Sequence, residues 1–175
     1  MADTRQRRFW LWPWRAKTVA GKAPVLPPSA QELSEKLTEL LHFERGITAL
    51  YYYLPDETLM GHAQTICQAH QAQTVLEQGV DRELHAKDAA LESWTAVSAI
   101  WRSDVWQPGE VLATFGFRII EALRAENETW SVVVDPRAKF FGLAIAKDEH
   151  HRYWLVLVTG QKGQDEGAES ATAAR

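Results

Sequence analysis

The sequence predicts an α+β domain, with helices packed on an antiparallel sheet that ends in a C-terminal β-hairpin. Three observations carry this. Leu33, Leu37, Leu40 and Leu41 recur at helical spacing, as do Val111, Leu112, Phe115, Ile119 and Leu123; each set marks a helix with one apolar stripe. Residues 140–146 and 153–158 are β-rich runs joined by a polar stretch, 147–152, which is a hairpin signal. The stripes must be buried on the sheet, and an α-β-α sandwich does so.

The elements follow in chain order. Residues 1–28 read as a basic arm and a linker, the linker being stiff, extended and proline-rich over 23–28. Ser29-Ala30-Gln31-Glu32 is a capping-box pattern that starts the first helix, and Gly46 ends it. Within Tyr51-Tyr52-Tyr53, alternation turns at least one ring inward; core packing is expected, with stacking on a ligand as the alternative. Asp56 caps a second helix that should run to about Gln78 and stop at Gly79, with Leu59, Ala63, Ile66 and His70 on one face.

Residues 86–98 read as helical, and Trp94, Trp101 and Trp106 require packing. Pro108-Gly109-Glu110 suits the first turn of a further helix, ending near 125–128. A short strand is expected at 130–134, a turn at 135–137, and then the hairpin. The folded domain is thus 29–160, and the Gly-, Ala- and Ser-rich tail 161–175 is expected to be disordered.

Charge divides the chain. Six basic residues against Asp3 give residues 1–22 a net charge of +5, and the total of −4 leaves −9 for the remainder. An acidic body excludes nucleic acid as its partner; only the arm can seek phosphates. The single cysteine, Cys67, allows no intramolecular disulfide and is expected to be a small buried side chain. The apolar run 9–14 is about six residues long and broken by Pro13, short of the roughly 7–15 of a signal peptide. The expected location is therefore the cytoplasmic side, peripheral to a membrane.

The order of these segments resembles the CAP superfamily (cysteine-rich secretory proteins, antigen 5 and pathogenesis-related 1 proteins), especially its bacterial, disulfide-poor members. Leu41-His42-Phe43-Glu44-Arg45-Gly46 is similar to the Asn-x-Glu-Arg element closing that family's first helix. Residues 54–59 followed by 63–70, ending in Ala69-His70, are similar to its second helix. Asp135-Pro136, then Phe141-Gly142-Leu143-Ala144-Ile145-Ala146, a loop and Tyr153-Trp154 through Gly160 match its final hairpin. The resemblance covers about residues 32–160 and implies an α-β-α sandwich.

It also implies a cleft of two His and two Glu able to hold a divalent cation, and here the chain departs. The second His position holds Thr129 and the following Asn position Val132. His85 is the candidate for the first His. The first Glu position falls on Ala99, with Glu110 as a rival register; the second is Glu121, or Ala122 by strict counting. His85, Glu110 and Glu121 are thus weak residual metal candidates, and no cofactor is expected because tight sites use three or four ligands. His62 and His70, two helical turns apart, suggest zinc less well than packing histidines, and His150-His151 reads as solvated.

The stretch Arg7-Arg8-Phe9-Trp10-Leu11-Trp12-Pro13-Trp14-Arg15 holds three of the eight tryptophans. Trp and Arg together suit a membrane surface or a protein hot spot; the third option is packing on its own domain. The expected function is a non-catalytic, CAP-like accessory or binding subunit. It would dock through Arg7, Arg8, Phe9, Trp10, Trp12, Trp14 and Arg15, within residues 5–22, to a membrane-associated complex or an anionic membrane surface. The alternative is a metal-dependent or lipid- or sterol-binding protein, or a hydrolase, using a residual His/Glu cleft.

Overall fold

Ser29 starts the fold by a reciprocal cap. In the computed structural model, which describes residues 25–74, 78–84 and 88–163, its Oγ accepts from the Glu32 N–H at 3.1 Å. Its own N–H donates to Glu32 Oε2 at 2.7 Å. Helix α1 (Ala30–Ile47) follows, then strand β1 (Leu54–Pro55) and helix α2 (Glu57–Ala72), capped by Asp56. Strand β2 (Gly79–Asp81), a 3₁₀ turn at Ala89–Leu91 and the long strand β3 (Trp94–Val105) complete the middle. Helices α3 (Leu112–Ala125) and α4 (Asn127–Val133) precede the hairpin β4 (Phe140–Lys147) and β5 (Arg152–Lys162).

The five strands form one sheet in the order β1-β4-β5-β3-β2. All pairings are antiparallel except β1 with β4. Strand β5 divides the core by its two-residue period. Tyr153, Leu155 and Leu157 face the stripe of α1 and α3 together with Val132 and Val133 of α4. Trp154, Val156 and Val158 face Leu59, Ala63 and Cys67 of α2. The result is an α-β-α sandwich buried on both faces of its central strands. Helix α2 lies so close to β4 that a Cβ on Gly142 would fall 2.2 Å from the Leu59 carbonyl carbon; only glycine fits there.

Several expectations are corrected. Residues 94–98 are strand, not helix. Val97, Ser98, Ala99 and Ile100 are all buried, so β3 lacks an alternating pattern, and a bulge between Thr95 and Ser98, with Ala96 at φ 52°, interrupts its register. Residues 130–134 belong to helix α4 and its cap rather than a strand; Thr129, Val132 and Val133 are buried at helical spacing, and packing outweighs the β propensity of the valines. Helix α2 ends at Ala72, where Thr74 turns left-handed at φ 54°, and Gly79 opens β2 instead of closing a helix. Helix α3 begins at Leu112, with residues 108–109 in the turn before it. Helix α1 passes Gly46 by one residue, and Ala49, not a glycine, takes the left-handed φ of 58°. Strand β5 carries the fold to Lys162; residues 1–24 and 164–175, and with them the expectations for the arm and most of the tail, lie outside the described residues.

Candidate functional site

Arg45 is the residue around which this end of the molecule is built. It is 1% exposed, and its guanidinium donates to the carbonyls of Tyr51 (2.8 Å), Val133 (2.9 Å), Ala138 (2.9 Å) and Asp135 (3.2 Å). The inward member of the tyrosine triplet, Tyr53, lies under it at 4.0 Å and donates its hydroxyl to Val133 O at 2.8 Å. The Glu-Arg element at the end of α1 is therefore structural: Glu44 is buried and paired with Arg124 of α3, and Arg45 ties four carbonyls into one knot.

Thr129 and Glu110, two of the positions that the resemblance sets at the cleft, stand at the ends of one hydrogen-bonded chain. Thr129, 1% exposed, donates to Leu123 O at 2.7 Å and accepts from Gln78 Nε2 at 3.2 Å. Gln78 Oε1 accepts from Arg102 at 2.6 Å, and Arg102 reaches Asp104 at 3.0 Å. Asp104 also binds Arg118, which grips both oxygens of Glu110 at 3.0 and 3.1 Å. Burial pushes the Glu110 carboxyl up, but the bonds from Arg118 and the Gln107 N–H outweigh it and hold it below the usual carboxylate range.

Glu121 lies on α3 more than two turns beyond, 63% exposed and paired with Arg124, so the two glutamates are not brought together. Ala99 and Val132 are buried and apolar, and His85 lies outside the described residues. Among the described residues no group of three or more His, Cys, Asp or Glu could hold a metal ion. Glu110 and Glu121 each have a salt-bridge partner instead.

The other histidines separate in the same way. His62 sits 3.5 Å from Asp88, whereas His70 stacks on Trp101 at 4.9 Å. His150 is exposed beside Glu149. Cys67 is buried, its thiol donating to Trp154 O at 3.3 Å, and burial pushes its pKa up to about 11, far from a nucleophile's range.

An exposed surface was not foreseen. Tyr51 (85% exposed), Tyr52 and Leu54 line, with Lys139, an open groove of about 540 Å³. Phe43 and Ile47, also exposed, stand one turn apart on the adjoining end of α1. Tyr52 stacks on His42 at 5.2 Å. Helical spacing contains the clue, since Phe43 and Ile47 fall outside the buried stripe of Leu33, Leu37, Leu40 and Leu41. Among the described residues no helix is long and apolar enough to cross a membrane.

No family model matches the chain, and no curated protein does. Solved structures that are similar include the following two. An outer surface protein from Borrelia burgdorferi superposes with a TM-score of 0.59 at 14% identity, over 77% of this chain and 96% of that one. A cysteine-rich secretory protein from Staphylococcus aureus gives a TM-score of 0.50 at 12% identity, over 74% of this chain and 39% of that one. At such identities the likeness is one of fold. The two-faced sheet, the helical layers and these similarities show that the chain has a CAP-like fold.

Proposed function

We propose that this CAP-like domain is a non-catalytic accessory or binding subunit. It docks through the basic, tryptophan-rich segment 7–15 to a membrane-associated protein complex or to a membrane surface. The observation that supports this most is Thr129. It stands where the resemblance puts a cleft histidine, and its hydroxyl is committed to Leu123 and Gln78. Glu110, the rival for a cleft glutamate, is likewise held by Arg118. These groups build the fold rather than present themselves to a substrate, so surfaces carry the function. The sequence supplies the docking element, with Trp10, Trp12 and Trp14 between Arg8 and Arg15; Trp and Arg are both enriched at binding hot spots, and Trp at the membrane interface.

Deleting residues 1–22 tests the reading. The truncated chain should still unfold cooperatively as a folded domain yet no longer sediment with membranes. Adding protein-free anionic vesicles separates the two kinds of target: full-chain binding to them identifies a lipid surface, and binding to native membranes alone identifies a protein complex. Undiminished sedimentation of the truncated chain would show the reading to be wrong.

A further inference from the structure

The exposed face of α1 changes character along its length. Glu32, Glu35 and Glu39 lead from its start and Phe43 and Ile47 continue the same ridge, all exposed. At spacings of three or four residues they share one side of the helix. Lys36 pairs with Glu39 at 2.8 Å, and against the three acids it leaves this half of the helix with a net charge of −2. Beyond the helix lie Tyr51 and Tyr52 with their apolar groove, the Tyr52 ring resting on His42 and Gly46 at the end of α1. An acidic half is thus followed by an aromatic and aliphatic half.

The segment preceding α1 carries the complementary order. Read away from the body, the chain presents Lys22, Lys17 and Arg15, then Trp14, Trp12, Trp10 and Phe9. Its point of departure is fixed beside the start of α1. Pro28 is buried, and its carbonyl accepts from the Tyr153 hydroxyl at 2.6 Å and Lys147 Nζ at 2.9 Å. Helix α1 is about 26 Å long, and the eleven residues from Trp14 to Val25 span up to about 36 Å, so the indoles reach Phe43 and Ile47 with chain to spare. Strand addition at this edge is disfavoured, since Pro55 of the edge strand β1 has no N–H to offer, and docking here is through side chains.

We propose that, in the free protein, residues 9–22 fold back along α1, setting Lys17 and Lys22 against Glu35 and Glu39 and the tryptophans against Phe43, Ile47 and the Tyr51–Tyr52 groove. This rests on the reading of the arm as a docking segment and adds its resting place, so that an arriving target competes with the chain's own ridge. Charge complementarity sets the register, and apolar contact carries the affinity.

Zero-length carbodiimide cross-linking of the full chain tests it. The expected products are amide links from Lys17 or Lys22 to Glu35 or Glu39 in the monomer band. In Phe43→Glu/Ile47→Glu, which alters only exposed positions, these links should fall several-fold and trypsin should cut after Arg15 several-fold faster. Absence of such links together with unchanged cleavage overturns the proposal. So do links found only between isotopically distinct copies, which would assign the ridge to a second chain. Loss of membrane association on deleting residues 1–22 with no such links overturns the resting place alone; links present while the deletion leaves association intact overturn the docking reading alone.

Discussion

The Tyr153 hydroxyl donates to the Pro28 carbonyl at 2.6 Å, joining the final hairpin to the linker across 125 positions of sequence. The phenol is buried, and its pKa is pushed up to about 12 by that burial, so it stays a donor at every physiological pH. Tyr153→Phe should cost about 1 kcal/mol. Amide exchange near the start of α1 should accelerate while β5 stays protected, and hydrogen exchange with mass spectrometry reads both.

Arg45 satisfies four carbonyls from three segments of chain. Arg45→Met keeps much of the bulk on Tyr53 but removes the guanidinium donor from all four carbonyls, of which Val133 O alone keeps the Tyr53 hydroxyl. The expected loss is on the order of 3–5 kcal/mol in denaturant unfolding. Thr48→Ala, at the exposed cap of the same helix, should cost under about 1 kcal/mol.

Acid should weaken the fold in two stages. Burial holds both His42 and His70 below their ordinary value of 6.5. The unfolded chain therefore takes up protons first, and their contribution, complete above pH 6.5, is lost as the pH falls through the lower folded values. Asp56, Glu110 and Asp135 are buried enough to be raised, yet hydrogen bonds and paired cations hold all three below their ordinary values of 3.8 and 4.5. Their contribution is present above those values and disappears on further acidification. His70→Phe, which can keep the stack on Trp101, should shrink the first stage, as thermal melts between pH 7 and 5 would record.

Cys67 should resist labelling by a thiol reagent at pH 8 in the native protein and react at the rate of a model thiol in denaturant. Its raised pKa and burial both point this way. Rapid native labelling would mean that α2 lifts from the sheet.

The helices α1 and α3 were legible because each carries its own period, Leu33 to Leu41 and Val111 to Leu123 repeating like helices, and the hairpin because two apolar, β-rich runs flank the polar stretch 147–152; Ser29 and Asp56 cap as their types dictate. Strand β3 was not, because a strand buried on both faces has no alternation, and Ala96, Ala99 and Ser98 carry little β preference. Helix α4 was hidden by the opposite local bias of Val132, Val133 and Val134. The site was legible only in what is replaced: Thr129 and Val132 could be counted from Asp135-Pro136. The chains linking Thr129 to Gln78, and Arg102 to Asp104, Arg118 and Glu110, join residues far apart in sequence, and no local pattern announces them. The exposed half of α1 could have been read from Phe43 and Ile47 lying off the leucine stripe.

Metal content of the full chain tests the central claim most directly, namely that this CAP-like fold works through its surfaces and not through a cleft of His85, Glu110 and Glu121. After dialysis against trace divalent ions, elemental analysis should find no stoichiometric ion, and His85→Ala and Glu110→Gln should leave the content unchanged. One equivalent of a divalent ion retained by the native chain and lost in His85→Ala would contradict the account.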